Sequence, residues 1–466
     1  MRSDRASVLA LAAILTLQLM LTLDAQVMTV ALPTVRDELG FTPAQLSWVP
    51  NAYALTFGGL VLLGGRLGDS YGRVRVFLIG TSIFVVASVA GGLAFDPVTL
   101  VGARVLQGVG SAIAAPSVLA LIMTTAKDEH SRARGLSYFT AMSAIGASAG
   151  LILGGVLTDL ASWRWGLLIN APIGLAVMII VGKTLRDSVL VRDKRFDLPG
   201  ALLATLGSVS LVWAFIYAAD HGWASYATAA CFVVAVLLLS LLVVVERRAA
   251  RPLIAIHLLA DRARLGALIN MALSVGAHFA MLFMIAQYVQ RVLDLSPLMA
   301  GISFLPLTAT VFLVARGVPA LVRQTGPLPP MVFGGVLMTA SFVLWSALDD
   351  SSGYLAVLVP LVIHAVGGGL IFVSGTIVAL GRVPHADAGS AAGMLQMVQQ
   401  VGGSLGLAIV VSVYASGATE GEFVPGLSAA MLTAGALSAI GALVAVLTIG
   451  QGWRVVRRFG ALFRRR

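Results

Sequence analysis

The stretch that decides the fold lies between two long apolar segments and reads GGRLGDSYGRVR over residues 64–75. Its glycines permit a tight reversal of the backbone. A turn that only positioned two membrane helices would need arginine, but it would not need an aspartate among glycines. Such an aspartate can bond a helix N-terminus or an arginine. We therefore predict a functional cytoplasmic loop that acts in conformational switching and whose residues are Gly65, Arg66, Gly68, Asp69, Gly72 and Arg73.

The composition around this loop is that of a membrane protein. The 466 residues are 58% hydrophobic and 11% charged, which is too little charge for the surface of a soluble protein. A bilayer core of about 30 Å needs roughly 20 apolar residues per helix. The sequence therefore predicts an all-α membrane protein with fourteen transmembrane helices at residues 7–32, 46–66, 75–95, 98–124, 133–158, 165–184, 198–219, 224–245, 265–290, 298–321, 328–348, 354–381, 389–415 and 427–451.

Basic residues lie mostly on one side of the predicted membrane. With the N-terminus inside, three of the 31 Lys and Arg residues fall in outside loops and Arg104 falls within a helix, so that 27 remain inside. Lys and Arg collect in cytoplasmic loops, which explains the net charge of +10 without nucleic acid. We expect both termini in the cytoplasm of a multi-pass protein of the cell membrane. The excess of Arg over Lys favours a bacterium with a GC-rich genome.

Two inside loops are longer than the others, at 185–197 and 246–264. They bracket the seventh and eighth helices, and removing that pair leaves six helices on each side, as expected of parallel repeats. The predicted domains are an N-terminal six-helix bundle, a region of linkers with an inserted helix pair, and a C-terminal six-helix bundle with a basic tail, at 1–184, 185–264 and 265–466.

Four ionisable side chains lie well inside predicted helices, namely Asp24, Arg104, His278 and His364. A charge at mid-bilayer costs several kcal/mol and usually marks function. Asp24 is the sole carboxylate among them, about 15 Å from the outer end of its helix by the helical rise. It can hold a proton until a cationic substrate displaces it, or it can be permanently paired. Arg104 can anchor the fourth helix to carbonyls of the first helix or tune Asp24.

The remaining polar candidates are uncharged at neutral pH. His278 and His364 fit a proton relay as well as they fit neutral, hydrogen-bonded helix residues. Six amide side chains offer contacts to a substrate in a cavity or bonds between helices: Asn51, Gln107, Gln287, Gln396, Gln399 and Gln400.

Several other classes of site find no support. The glycine runs at 108–110 and 367–369 have neither a strand before them nor a P-loop lysine. The single cysteine, Cys231, excludes a disulfide, and no His, Cys and carboxylate set has metal spacing. No nucleophile and base can be paired. We expect no enzyme activity, no cofactor, no metal and no nucleic-acid partner.

The chain resembles the major facilitator superfamily, and within it the fourteen-helix drug:proton antiporter branch. The loop at 64–75 is similar to the signature between the second and third helices of that superfamily. Six further motifs carry the resemblance: LDAQVMTVALP (23–33), SWVPNAYAL (47–55), RVLQGVG (104–110), WRWGLLINAPIG (163–174), RPLI (251–254) and SPLMAG (296–301).

This resemblance implies two bundles that export small molecules by alternating access, driven by protons. It also implies that the helices holding the four ionisable residues line the central cavity. The antiporter motif of the fifth helix is matched by its glycines, although Leu151 stands where a proline is expected. Those glycines are Gly146, Gly150, Gly154 and Gly155.

We therefore expect a monomeric, proton-coupled exporter of small, lipophilic, cationic compounds that works in the lipid bilayer. A dedicated exporter of an endogenous metabolite, or of a neutral or anionic compound, is the alternative within the same fold. A channel or a non-transporting sensor is the alternative from another class, although no selectivity filter or soluble signalling domain is evident.

The basic asymmetry predicts that the loop at 185–197 faces the cytoplasm. A cysteine placed at Arg192 on a Cys231→Ala background should therefore react with a membrane-impermeant maleimide only after the cells are opened. Labelling of that cysteine from outside intact cells would refute this topology.

Overall fold

The computed structural model describes residues 2–125, 128–187, 197–248, 256–381, 383–384, 387–417 and 423–463. Helices are the only regular elements in these ranges, and fourteen helical spans are long and apolar enough to cross a membrane. The prediction of an all-α membrane protein with fourteen transmembrane helices is confirmed.

The spans are numbered α1 to α14 in chain order, and three of them are interrupted at a single residue. Their bounds are Arg2–Leu39, Pro43–Leu46 with Trp48–Tyr71, Arg73–Gly92, Pro97–Thr125, Glu129–Leu160, Arg164–Leu168 with Asn170–Thr184, Leu198–His221, Tyr226–Arg248, Arg262–Arg291, Pro297–Ser303 with Leu305–Thr325, Leu328–Trp345, Tyr354–Leu380, Ala388–Gly417 and Leu427–Phe463. Most of these helices are longer than the apolar segments, because hydropathy follows the hydrocarbon layer whereas helical hydrogen bonding continues beyond it.

Proline accounts for the three interruptions. They lie at Ser47, Ile169 and Phe304, and a proline follows each of them two or three residues later, at positions 50, 172 and 306. Proline has no N–H and cannot bond the carbonyl four residues back. The helix loses one hydrogen bond in each case and restarts in a new segment.

The chain divides into two compact units. The first comprises Met1–Leu253 with Ala286–Leu305, and the second comprises Ile254–Ile285 with Pro306–Arg466. The first unit includes α7 and α8, and α7 packs on α2 through Trp48 and Trp213, whose ring centroids lie 5.6 Å apart. The predicted boundaries at 184 and 265, and the insertion of this helix pair between two bundles, stay predictions.

Glycines on α5 bring this helix against the backbone of α1. A Cβ at Gly146, Gly150 or Gly154 would lie 3.0, 2.8 or 2.7 Å from the carbonyl oxygens of Leu19, Leu23 and Val27 respectively. These contacts repeat every four residues on both helices, as expected where small residues let membrane helices approach closely. The fourth glycine of the motif, Gly155, faces elsewhere, and its Cβ would lie 2.5 Å from the Pro297 carbonyl at the start of α10.

The second unit uses the same kind of contact between α9 and α13. Gly276 and Gly406 face each other so closely that a Cβ on either would strike the backbone of the other. One turn away on α13, Gly402 packs in the same way on Ala272. Small residues therefore define this helix pair as well.

The motif at 163–174 closes one end of the first unit. Trp163 Nε1 donates to Glu38 Oε2 at 2.6 Å, and Arg164 pairs with the same carboxylate. Arg164 Nη2 also donates to the Ala94 carbonyl at 2.9 Å. Arg164 at the start of α6 thus bonds both the end of α1 and the loop before α4.

We predict that Gly154→Ala lowers the stability of the protein by about 1–3 kcal/mol, because the added methyl group must push two backbones apart. Thermal unfolding in detergent measures this as a lower midpoint temperature. Gly102→Ala is the matched control, since a Cβ at Gly102 meets nothing within 4 Å. Equal midpoints for the two variants would show that the contact between α1 and α5 is loose.

Candidate functional site

The carboxylate of Asp24 lies at the centre of a buried polar cluster in the first unit. Asp24 is 0% exposed and Arg104 is 1% exposed. Arg104 Nη1 donates to Asp24 Oδ2 at 2.6 Å. Two amides donate to Oδ1, with Gln107 Nε2 at 3.1 Å and Asn170 Nδ2 at 2.7 Å. The Asp24 carboxylate therefore accepts one charge-assisted hydrogen bond and two hydrogen bonds from amide side chains.

Arg104 is held as firmly as its partner. Its Nε donates to the Val49 carbonyl at 3.2 Å, its Nη1 also donates to Gln107 Oε1 at 2.9 Å, and its guanidinium lies 4.6 Å from the ring centroid of Tyr53. The sequence suggested an anchor to carbonyls of the first helix or an influence on Asp24. Arg104 does contact Asp24, but the carbonyl that it bonds belongs to Val49 on α2 and not to α1.

A further hydroxyl supports the amides of this cluster. Ser88 on α3 accepts from Gln107 Nε2 at 2.7 Å and from Asn170 Nδ2 at 3.4 Å. Sequence reasoning missed Ser88 and Asn170 as site residues. Asn170 could have been predicted, because it stands in the motif at 163–174 and begins the second segment of α6. Nothing in the sequence around Ser88 distinguishes it from other helical serines.

The two intramembrane histidines meet in the second unit. His278 Nδ1 and His364 Nε2 lie 3.0 Å apart, and their rings are stacked with centroids 5.3 Å apart. Phe342 and Trp345 pack on the ring of His364, with centroids at 5.3 and 5.6 Å. Both histidines border a cavity of about 240 Å³, together with Gln399 and Gln400. The structure thus brings together four of the predicted site residues.

The other predicted amides lie in different surroundings. Asn51 is 0% exposed, and neither of its side-chain polar atoms has a hydrogen-bond partner among the described residues. Gln287 is buried, and Gln396 is exposed on α13 away from the cavity of the second unit. Gln107 is the one amide of the six that bonds Asp24.

The predicted switch loop is almost entirely helical, whereas a short cytoplasmic loop with a tight reversal was expected from sequence. α2 continues to Tyr71 and α3 begins at Arg73, so Gly72 alone separates them. Gly72 has a φ of 99°, which a residue with a side chain rarely adopts. Asp69 pairs with Arg73 at 2.9 Å on the exposed surface, where such a pair stabilises little.

A carboxylate from the end of α6 completes this turn. Asp187 Oδ1 accepts from the Val74 amide at 2.8 Å, and Oδ2 accepts from the Arg75 amide at 3.3 Å. It therefore satisfies two free N–H groups at the start of α3. A side chain at Gly72 would collide with this carboxylate. Sequence reasoning missed Asp187, because 112 residues separate it from Arg75.

The remaining glycines of the loop serve helix contacts. A Cβ at Gly68 would lie 3.2 Å from Ser117 Oγ, and one at Gly65 would lie 3.7 Å from Pro116. Both partners belong to α4, on which α2 packs. Arg66 is half-buried on the same helix.

We predict that Arg104→Met lowers stability by about 3–5 kcal/mol, because it leaves Asp24 buried without its counter-ion. Adding Asp24→Asn should restore a large part of that loss, and thermal unfolding of the two single variants and the double variant measures the coupling. Arg73→Met, which removes the exposed partner of Asp69, should change stability by less than about 1 kcal/mol. If the stability change of the double variant equalled the sum of the changes in the two single variants, the pairing of Asp24 with Arg104 would be contradicted.

Comparison with known proteins places these features in one family. Residues 14–407 match the Major Facilitator Superfamily. The uncharacterized MFS-type transporter EfpA of Mycobacterium tuberculosis is 39% identical over 89% of this chain and 78% of its own length. The puromycin resistance protein pur8 of Streptomyces alboniger is 38% identical over 88% of this chain and 82% of its own.

Among solved structures, a peptide transporter POT in complex with sulfate shares the fold. Its TM-score is 0.72 at 15% identity, with 95% of this chain and 94% of that chain covered. The comparisons of sequence show the family, and the solved structure shows the same fold. The chain belongs to the major facilitator superfamily, whose members are membrane transporters and not enzymes.

Proposed function

We propose that this protein exports small, lipophilic, cationic compounds from the cytoplasm in exchange for protons. The observation that carries the proposal is the carboxylate of Asp24, fully buried within a membrane helix and bonded to Arg104, Gln107 and Asn170. Intramembrane ionisable groups usually mark a proton or substrate pathway. Asp24 is the proton-accepting group of this proposal, and Arg104 is its switchable partner.

Protonation of Asp24 changes the charge balance of this cluster. The neutral acid no longer offers Arg104 a counter-ion, and a buried guanidinium without one is costly. The cluster must then rearrange, and it joins five helices of the first unit. A proton arriving at Asp24 therefore favours a different arrangement of those helices, which is what coupling requires.

The relatives support export of bioactive compounds. One is named for resistance to puromycin and shares 38% identity over most of both chains. The cavity of the second unit is lined largely by apolar and aromatic side chains, among them Phe279 and Phe372, with a few polar groups. This is the usual character of a site for lipophilic small molecules.

Export of neutral compounds is a second candidate, and one observation favours it. The charge of Asp24 is already balanced by Arg104, and no carboxylate borders the cavity of the second unit among the described residues. A neutral lipophilic compound needs no counter-charge there. Comparison of cationic and neutral compounds in one export assay separates the two candidates.

The setting of the proposed activity follows from the charge distribution. We place both termini in the cytoplasm, from the excess of basic residues in the predicted inside segments. We propose a monomer in the bacterial cell membrane, with protons and the exported compound as its small-molecule partners. The turn around Gly72, with Asp69 and Asp187, acts in conformational switching.

Asp24→Asn should reduce proton-driven transport of a lipophilic cationic dye into inverted vesicles by about tenfold or more. The amide keeps the size of the side chain but cannot gain or lose a proton, so the exchange loses its coupling. The uptake rate is measured by dye fluorescence, with and without an uncoupler.

Asp350→Asn is the matched control, because it makes the same change on an exposed residue in the loop after α11. Uptake by the Asp24→Asn vesicles at the wild-type rate, still sensitive to the uncoupler, would show that the coupling residue lies elsewhere.

A further inference from the structure

The cavity in the second unit has a hydrogen-bonding group with no partner. Ser274 is only 4% exposed, lines the cavity, and its Oγ has no hydrogen-bond partner among the described residues. It lies one helical turn before His278 on α9, so the two side chains share a face. A buried polar atom without a partner costs free energy in the empty protein and favours a ligand that can satisfy it.

A chain of hydrogen bonds determines which nitrogen of each histidine carries the proton. Ser341 Oγ donates to the Met338 carbonyl at 2.6 Å. His364 Nδ1 lies 3.4 Å from Ser341 Oγ, whose hydrogen is already used, so a hydrogen bond between these two atoms has His364 Nδ1 as its donor. His364 Nε2 is then the acceptor, and His278 Nδ1 donates to it at 3.0 Å.

One acceptor is left over at the end of this chain. Because neutral His278 has its hydrogen on Nδ1, its Nε2 carries a lone pair. His278 has no other hydrogen bond among the described residues, and its ring borders the cavity. The neutral pair therefore offers the cavity an acceptor and no N–H at this position.

We infer that this cavity binds the hydrogen-bond-donating end of a lipophilic aromatic compound, above all a protonated amine, at Nε2 of His278 with Ser274 as a second contact. A proton taken up at the same Nε2 makes His278 an imidazolium and excludes that compound. The inference rests on the proposed function and extends it with a second proton site.

The surroundings of the pair determine the class of compound. No Asp, Glu, Lys or Arg borders the cavity among the described residues of α9 to α13. The charged residues of these helices lie elsewhere. Arg264 bonds the carbonyls of Ala379, Leu258 and Gly381, Arg291 pairs with Asp37, and the three others are exposed: Arg262, Arg316 and Arg323. Affinity for an amine must therefore come from the imidazole acceptor and the aromatic rings rather than from a carboxylate.

The size of the cavity makes it a subsite. Drug-sized ligands occupy pockets of roughly 300–1,000 Å³, and this one measures about 240 Å³. It holds a ring and the amine next to it. Met271 and Met338 also line it, and methionine adapts to ligands of different shape.

Competition between a proton and an amine for Nε2 of His278 predicts which compounds the cavity binds. A tertiary amine is protonated near neutral pH and carries one N–H, whereas its methylated quaternary counterpart has the same charge and no N–H. We expect the tertiary amine to bind about tenfold more tightly at about pH 8. Its affinity should fall once the pH is low enough to protonate His278, because the imidazolium no longer offers an acceptor at Nε2.

The test uses the full-length protein in lipid nanodiscs and two fluorescent probes, a dansyl-alkyl-dimethylamine and the matching dansyl-alkyl-trimethylammonium. Equilibrium binding of both is measured from about pH 8 down to the most acidic pH at which the protein stays folded. His278→Gln keeps an amide acceptor but cannot be protonated, so it should keep the preference for the tertiary amine and lose the pH dependence. His278→Phe should lose both.

His221→Gln is the matched control, since His221 is an exposed histidine at the end of α7, and it should behave as the wild type. Equal wild-type affinities for the two probes at about pH 8 would overturn the inference, and this measurement needs no variant to fold. Unchanged pH dependence in His278→Gln would overturn it too.

Binding is measured here without a gradient. Loss of proton-driven export with an intact binding pattern would therefore count against the proposed function and not against this site.

Discussion

Asp24 and Arg104 carry opposite charges where water is excluded, and neither can be buried alone at an acceptable cost. Their hydrogen bonds extend to the Val49 carbonyl, Gln107 and Asn170, and from those amides to Ser88. Five helices, α1 to α4 and α6, contribute to this cluster. The arrangement of the first unit is therefore specified by polar bonds as well as by packing, because these bonds join groups on five different helices.

The polar pair inside the second unit contains no carboxylate. Its buried pair consists of two neutral rings, His278 and His364, which hydrogen-bond each other and lean on aromatic neighbours. Such a pair can be buried without a counter-ion and still gain one positive charge. The two units thus differ in kind. The first holds a pair of opposite charges, and the second holds two histidines without a counter-ion.

Much of the fold could be predicted from sequence, because membrane spans depend on local composition. Fourteen apolar segments led to fourteen helices, and prolines such as Pro172 lie just beyond each interruption. The ionisable members of the site could also be named, since charge within an apolar helix is conspicuous.

Their partners could not be named. Ser88 and Asp187 are ordinary residues in sequence, and they matter only because distant helices bring them to an amide or a backbone N–H. The contact that Gly155 makes could not be named for a similar reason. One residue further along a helix points about 100° away, and Gly155 therefore meets α10 instead of α1.

The cap that Asp187 places on α3 has a consequence for how the protein is made. The Val74 and Arg75 amides leave the ribosome 113 and 112 residues before the carboxylate that binds them. At about 5–20 residues per second, this interval lasts roughly 6–20 s. During synthesis α3 must therefore enter the membrane with its first turn uncapped. The turn at Gly72 reaches its final form only after Asp187, which follows α6 in the chain, has been made.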